Sequence, residues 1–585
     1  MKNNSKGSNN HINLLFTILF FILLQFLILD YVFFQIIYSS YSIYILAFLF
    51  LLSLGFYYYK INGFYLFSLL PLFIAIFISA NYPENFSVFV IYFLFAVYIF
   101  YIYKKNYVFM NNDYEPDIYI FLFFFVLSAF IIFLVFLSKE TITVLDRKTL
   151  KWYICLRGSG EHMNLVFHSK FNDVSRLILP IFFLLAIFIF NFLVGKQIIK
   201  KDIFLIIILI LFTFIGKFVI ADLSDKGIDV IKEKIESKYN CSYYYFAEKY
   251  KDNFYNFIKD YTSIHQKERD NAHIKGHPIL PVLLYWLIIK FTSPSSFIAG
   301  IIIAFLSSLT VIPLFYILKI FFKDNIISYF GCFFYSMSAN SLILSIAGID
   351  SIIVLIFSVT LFYYLFALDK NKWYLFLLSG IFFGINSYLT FGLWHLLPFL
   401  FIYYFIYEKN INKIIDKNEI FNFIQMCIYF VAGIFLFHFL IWVLFLGKFN
   451  YFESFNIAKL VHIDIISFRP YKLWVWLNFI HWSLYISVGL ISLYFYRYIM
   501  ALTGKIKMDP FSLLSFIFLI VNFLSCTARA ETHRIWMFLI VLIVPVSIMV
   551  VINKQNKINF LYANIFTGLI FINSVLIEIF ITDAH

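Results

Sequence analysis

The chain is built from apolar runs of about 20 residues separated by short, lysine-bearing turns, and that pattern restricts its fold more than anything else in it. Runs lie at 14–37, 41–59, 64–79, 88–103, 118–137, 177–194 and 203–220. Further runs follow at 297–318, 326–346, 349–368, 373–389, 391–407, 421–446, 473–496, 511–526, 535–552 and 560–581. With 63% of residues hydrophobic and 13% charged, the solvent for most side chains must be lipid. Backbone groups in lipid must pair within the chain, so only helices or closed barrels can cross. The runs are continuous rather than alternating, which excludes a barrel. The expected fold is all-α, a polytopic helical membrane protein of about 17 spans. No small-residue cleavage site follows the run at 14–37, so it reads as an uncleaved first span.

The net charge of +13 does not indicate a nucleic-acid partner. Many of the lysines sit in short turns, where the positive-inside rule accounts for them. Lys2, Lys6, Lys60, Lys104, Lys105, Lys196, Lys200 and Lys201 fall on the inner side, as do Lys370, Lys372 and the clusters at 409–417, 497–507 and 554–557. The same alternation puts 139–176, 221–286, the Gly348-Ile349-Asp350 turn, 447–472 and 527–534 outside. Residues 1–200 read as an N-terminal membrane module with an outer loop at 139–176. Residues 201–585 read as a second membrane domain with an outer loop at 221–295. Cys155 and Cys241 both fall in outer loops, so a disulfide between them is open to the chain.

Charged residues are rare here, and the suggestive ones gather at outer span ends. The longest polar interruption ends in His273-Ile274-Lys275-Gly276-His277-Pro278-Ile279-Leu280-Pro281-Val282-Leu283-Leu284-Tyr285-Trp286. The apolar stretch 280–291 is too short to span and is expected as an interfacial helix opening near Pro281. Its first backbone N–H groups would attract an anion, with Lys275 and His277 just ahead of them. His273 and His277 have a helical metal spacing, but Gly276 and Pro278 argue against helix between them. No cofactor is expected, and a divalent metal has no support. Asp222 and Asp225 follow the run at 203–220 and are spaced to share a helix face. In Thr527-Ala528-Arg529-Ala530-Glu531-Thr532-His533-Arg534-Ile535-Trp536, Glu531 and Arg534 are spaced to pair along one turn. That pairing leaves the Arg529 fork for a phosphate. Asp350 opens a span directly after Gly348, where helix capping is an alternative reason for an acid. Arg469, Lys472, His462 and Asp464 lie in the late outer loop, and His395 and His438 read as satisfied core groups.

Two of these stretches resemble bacterial GT-C glycosyltransferases of the protein-mannosyltransferase and aminoarabinose-transferase kind. The first is similar to His-x-Arg-Thr-His-Pro-Pro-Gly-Pro-Val-Leu-Leu-Tyr-Trp, with Lys275, Gly276, Ile279 and Leu280 as departures. The second is similar to Arg-Gly-Glu-x-x-Arg-Ile-Trp, with Ala530 in place of Gly. The resemblance runs from about Ile203 onward. It implies an inverting transferase that moves a sugar from a polyprenyl-phosphate carrier to a glycan, lipid or protein acceptor. By that resemblance Asp222 or Asp225 is the base, and Lys275, His277, Arg529 and Arg534 hold the donor phosphate. Asp350 and Glu531 support them. The implied location is the bacterial cytoplasmic membrane, with the site on its extracytoplasmic face. A transporter or flippase of a lipid-linked sugar is the alternative, and it would place ionisable residues at mid-membrane.

Overall fold

The computed structural model describes residues 166–167, 174–224, 226–237, 242–267, 274, 276–408, 417–467, 471–502, 506–525, 528–529, 532–553 and 555–582. The first five apolar runs, Cys155, Cys241 and the candidate residues Asp225, Lys275 and Glu531 lie outside these.

The described chain is helical. Helices α1 (Ile178–Gly195) and α2 (Asp202–Ala221) form a hairpin. A polar stretch then carries α3 (Val230–Glu236), α4 (Ser242–Lys249), α5 (Phe254–Lys267) and α6 (Leu280–Phe291). Next come α7 (Ser296–Ser308), α8 (Val311–Phe322), α9 (Asn325–Ser336), α10 (Ala339–Leu342), α11 (Asp350–Lys370) and α12 (Trp373–Leu389). The remainder is α13 (Leu397–Glu408), α14 (Lys417–Leu444), α15 (Tyr451–Ser467), α16 (Tyr471–Ile486), α17 (Val488–Leu502) and α18 (Pro510–Ser525), followed by α19 (Thr532–Ile535), α20 (Ile540–Ile548) and α21 (Phe560–Phe580). Strands β1 (Val166–Phe167) and β2 (Ile581–Thr582) pair antiparallel, tying the chain before α1 to the end of α21.

Among the described residues six helices are long and apolar enough to cross a membrane, or seven if the pair Asn325–Ser336 and Ala339–Ile346, bent by 69°, counts as one span. Five shorter apolar helices fall on other expected runs. The expected total of about 17 is therefore not reached among the described residues. The span expected at 297–318 is a longer unit, Ser296–Phe322, in which α7 and α8 are joined at Thr310.

The stretch 447–472 was expected as a loop, and the structure corrects this, because it carries α15. Tyr451, Ser454, Ala458 and Ile466 are its buried residues, at intervals of about one and two helical turns. Glu453, Lys459 and His462 break the hydropathy of the segment, so the helical period and not the apolar content was the signal.

Ion pairs orient the bundle. Lys319 pairs with Asp202, Lys323 with Asp369 at 2.8 Å, and Arg497 with Asp509 at 3.3 Å. Asp369 and Asp350 stand at opposite ends of α11, whose 21 residues rise about 31 Å. Asp202 and Asp222 stand at opposite ends of α2 in the same way. Asp222 and Asp350 thus lie at the end away from the Lys319 and Lys323 pairs.

Helices α12 and α14 cross at glycine. A Cβ at Gly380 would run into the Phe430 carbonyl oxygen, and one at Gly433 into that of Leu377. Backbones meet this closely in membranes only where side chains are absent. Gly433→Ala is expected to lower stability by about 1–3 kcal/mol through overpacking. Thermal unfolding of the purified protein in detergent measures it, and an unchanged midpoint would show that the helices can separate without cost.

Candidate active site

A break in a span organises the site. After α10 the chain passes through a short 3-10 turn, Leu344–Ile346, and then leaves helix until α11 begins at Asp350. A broken helix in lipid has carbonyls without intrahelical partners, and each must find a donor. Here side chains supply donors, to Ser345 O and Ala347 O and as second partners to Ile343 O and Gly348 O, which also accept the backbone N–H groups of Ile346 and Ser351. Lys234 Nζ of α3 donates to Ile343 O at 3.2 Å. Ser307 Oγ of α7 donates to Ser345 O at 3.0 Å, and the Tyr285 hydroxyl of α6 donates to Ala347 O at 3.0 Å. Ser351 Oγ closes the series on Gly348 O at 2.6 Å. The break is a junction where the polar stretch, the interfacial helix and the spans meet.

Asp350 follows the junction directly. The N-cap position of α11 is Ile349 and bears no side-chain cap, so capping does not account for Asp350. Its Oδ2 instead meets Arg534 Nε at 3.1 Å. The two side chains are 14% and 20% exposed, which keeps the pair largely out of solvent. Two sequence candidates from distant parts of the chain are thereby brought together. Arg534 pairs with Asp350, and Glu531 lies outside the described residues.

The His-Pro turn leads into α6 as expected, with Pro281 in the first turn and no side-chain cap at Ile279. The N–H groups of that turn are of the kind an anion satisfies. His277 is half-buried; its Nδ1 lies 3.2 Å from Leu389 O, and its ring stands edge-on to Tyr243 at 5.7 Å. A nitrogen facing a carbonyl carries its proton, so Nε2 sets the charge of this imidazole. The Tyr261 hydroxyl donates to His277 O at 3.0 Å. Burial raises the Tyr261 phenol well above its ordinary range, and burial followed by Glu248 and Glu236 pushes Tyr244 up to about 12. Both phenols remain donors at neutral pH. On the outer side of α6, Trp286 stacks on Phe254 at 4.6 Å and donates through Nε1 to Lys251 O at 3.0 Å.

Asp222 is the residue on which α2 ends, and it is half-buried. Its turn is held from outside: Arg176 Nη1 donates to Ser224 O at 2.7 Å, and Ser224 Oγ donates to Gly227 O at 3.0 Å. Gly227 has φ +58°, a left-handed conformation that favours glycine. A Cβ there would lie 3.8 Å from Asp222 Oδ1, so the turn folds back over the carboxylate. Helix α2 also packs against the 3-10 turn of the break.

Arg529 is anchored within the fold. Its Nη1 donates to Ile466 O at 3.2 Å, and its guanidinium lies 5.5 Å from the Tyr471 ring centre. Its backbone is fixed too, because Asn478 Nδ2 donates to Ala528 O at 2.6 Å and Thr532 Oγ1 donates to Asn478 O at 3.3 Å. Ile466 is near the end of α15, whereas the start of that helix sits by His277. There the Tyr451 hydroxyl donates to Ser387 O at 3.1 Å, two residues from Leu389. Tyr451 and Ile466 are 15 residues apart, about 22 Å of helix.

His438 Nε2 is 3.1 Å from Ser387 Oγ, as a core histidine should be. His395 stacks flat on Phe518 at 5.4 Å. No group of three or more His, Cys, Asp or Glu side chains is placed to hold a metal among the described residues. Sequence reasoning missed Lys234, Tyr285 and Ser307 as site-building residues. Tyr285 sat inside a quoted motif, but a hydroxyl aimed at a carbonyl 62 residues away leaves no local signal.

Residues 276–444 match the family model for dolichyl-phosphate-mannose-protein mannosyltransferase, a GT-C family. The matched stretch begins at the His-Pro turn and includes the break and Asp350, while Asp222, Arg529 and Arg534 lie outside it. No curated protein matches the chain.

Proposed function

We propose that the protein is an inverting glycosyltransferase that moves a sugar from a polyprenyl-phosphate carrier to a glycan, lipid or protein acceptor. The observation that carries this reading is the junction at Ile343–Asp350. A stretch matched to a mannosyltransferase family there meets an acid–arginine pair and an interfacial helix start. In the reaction, Asp222 or Asp225 takes the proton of the acceptor hydroxyl. The acceptor oxygen bonds to the anomeric carbon from the face opposite the phosphate. The carbon–oxygen bond to phosphate breaks, and polyprenyl phosphate leaves with the electron pair. Lys275, His277, the first turn of α6 and Arg534 offset the charge on that phosphate. Arg529 contributes as well, its guanidinium held in place by Ile466 O. Asp350 and Glu531 hold the arginines in place. The location is the bacterial cytoplasmic membrane with the site on the extracytoplasmic face, which the lysine distribution supports.

The test is transfer by the purified protein in proteoliposomes from a panel of polyprenyl-phosphate sugars. Expected are free polyprenyl phosphate and a glycosylated acceptor of inverted anomeric configuration. In intact cells, cysteines placed at the exposed Asp229 and Gln555 should be labelled from outside at the first and protected at the second. One feature, the bent span at Asn325–Ile346, favours the alternative of a carrier flippase, since broken spans line transport pathways. Flipping of carrier without sugar transfer would establish that alternative.

A further inference from the structure

We propose that Lys217 is a positioning residue for the site, acting through Ser307 on the Ser345–Asp350 segment; the inference rests on the glycosyltransferase reading above. Lys217 lies in α2, wholly buried, one turn before the helix ends. A lysine inside a span is costly and calls for a reason. Its Nζ contacts three neutral oxygens of α7: Ala304 O at 2.8 Å, Ser307 Oγ at 2.5 Å and Ser308 Oγ at 3.0 Å.

The hydrogen-bond count gives the reason. Ser307 has one hydroxyl proton and two carbonyls within reach, Ala304 O and Ser345 O, each at 3.0 Å. A serine in a helix ordinarily bonds back to its own preceding turn. Ala304 O already accepts the Ser308 amide within α7 and also receives Lys217 Nζ and Ser308 Oγ at 2.7 Å, so it has no lone pair left for Ser307, whose oxygen Lys217 Nζ grips directly. The Ser307 proton is thereby turned outward to Ser345 O. Ser345 lies in the 3-10 turn that leads into the unwound residues, first Ala347, bound by Tyr285, and then to Asp350, bound by Arg534. Lys217 therefore holds the inner edge of the platform on which the acid–arginine pair stands. Through the same helix it also sets the height of Asp222, five residues on.

The decisive variant is Ser307→Ala, which removes the bond to Ser345 and leaves Lys217 its contacts with Ala304 and Ser308. It is expected to lower kcat roughly 3- to 10-fold, the size of one buried hydrogen bond, with donor KM within about twofold of the parent. Lys217→Met should lower kcat at least as much, and the double variant should be no worse than Lys217→Met alone, because both act on one bond. Amide hydrogen exchange over 345–350 should quicken in both single variants. Parental kcat and exchange in Ser307→Ala, or effects that multiply in the double variant, would overturn the proposal. If Lys217→Met does not fold, Ser307→Ala decides alone. If the parent transfers no sugar, the function reading has failed, and the exchange measurement still decides whether Lys217 and Ser307 hold the segment.

Discussion

Asp222→Asn is expected to lower sugar transfer by about 10²- to 10⁴-fold with donor binding little changed, the loss that follows removal of a general base. Asparagine keeps the shape of the side chain, so the turn held by Arg176 and Gly227 should survive the change. The half-buried setting of Asp222 suits a base, since the carboxylate is close to water yet covered by the returning turn. Asp225→Asn is the matched control: the base is the member of the pair whose replacement removes kcat. Steady-state transfer and donor binding, measured on the same preparations, separate the two effects. Full activity in both variants would remove the aspartates from the chemistry.

The second large effect is expected at the pair between Asp350 and Arg534. Arg534→Ala leaves a carboxylate that is only 14% exposed without this partner. Breaking a buried pair from one side costs about 3–5 kcal/mol, and a fifth of the Arg534 side chain still meets solvent, so a loss of about 2–4 kcal/mol is expected. Transfer should fall by about 10- to 100-fold, because the pair fixes the start of α11 against α19. Asp350→Asn with Arg534→Met should be more stable than Arg534→Ala alone, because no lone charge remains. Denaturant unfolding in detergent with parallel transfer assays checks both parts. A double variant that regains stability without regaining transfer would place the pair in the site itself; one that regains both would make it structural only.

Some of this was written in local sequence. Apolar runs near the length of a bilayer dictate helices, because lipid offers the backbone no partners. The turn before Pro281 announces a helix start, and the helix duly begins at Leu280. The family resemblance read from His273 to Trp286 overlaps the start of the matched stretch at residue 276. Charge order along the chain also indicated that Asp222, Asp350 and Arg534 stand at corresponding span ends.

The pairings were decided by tertiary structure. For Arg534, helical spacing offered Glu531 as a partner, and the fold brings Asp350 to it from the start of a different span. Arg529 looked available once Glu531 and Arg534 were paired along one turn, and only the fold shows that α15 and α16 bring Ile466 O and Tyr471 to it. The break after α10 had no proline to announce it, and Ser307 and Tyr285 satisfy the Ser345 and Ala347 carbonyls that helix would otherwise bind. Lys217 is the clearest case. In sequence it is a single charge in an apolar run, and only the packing of α7 against α2 supplies its three oxygens. Solvent dictates the elements because every residue of a span meets the same lipid. Partners across the bundle depend on which helix ends the chain brings together, and no stretch of sequence contains that by itself.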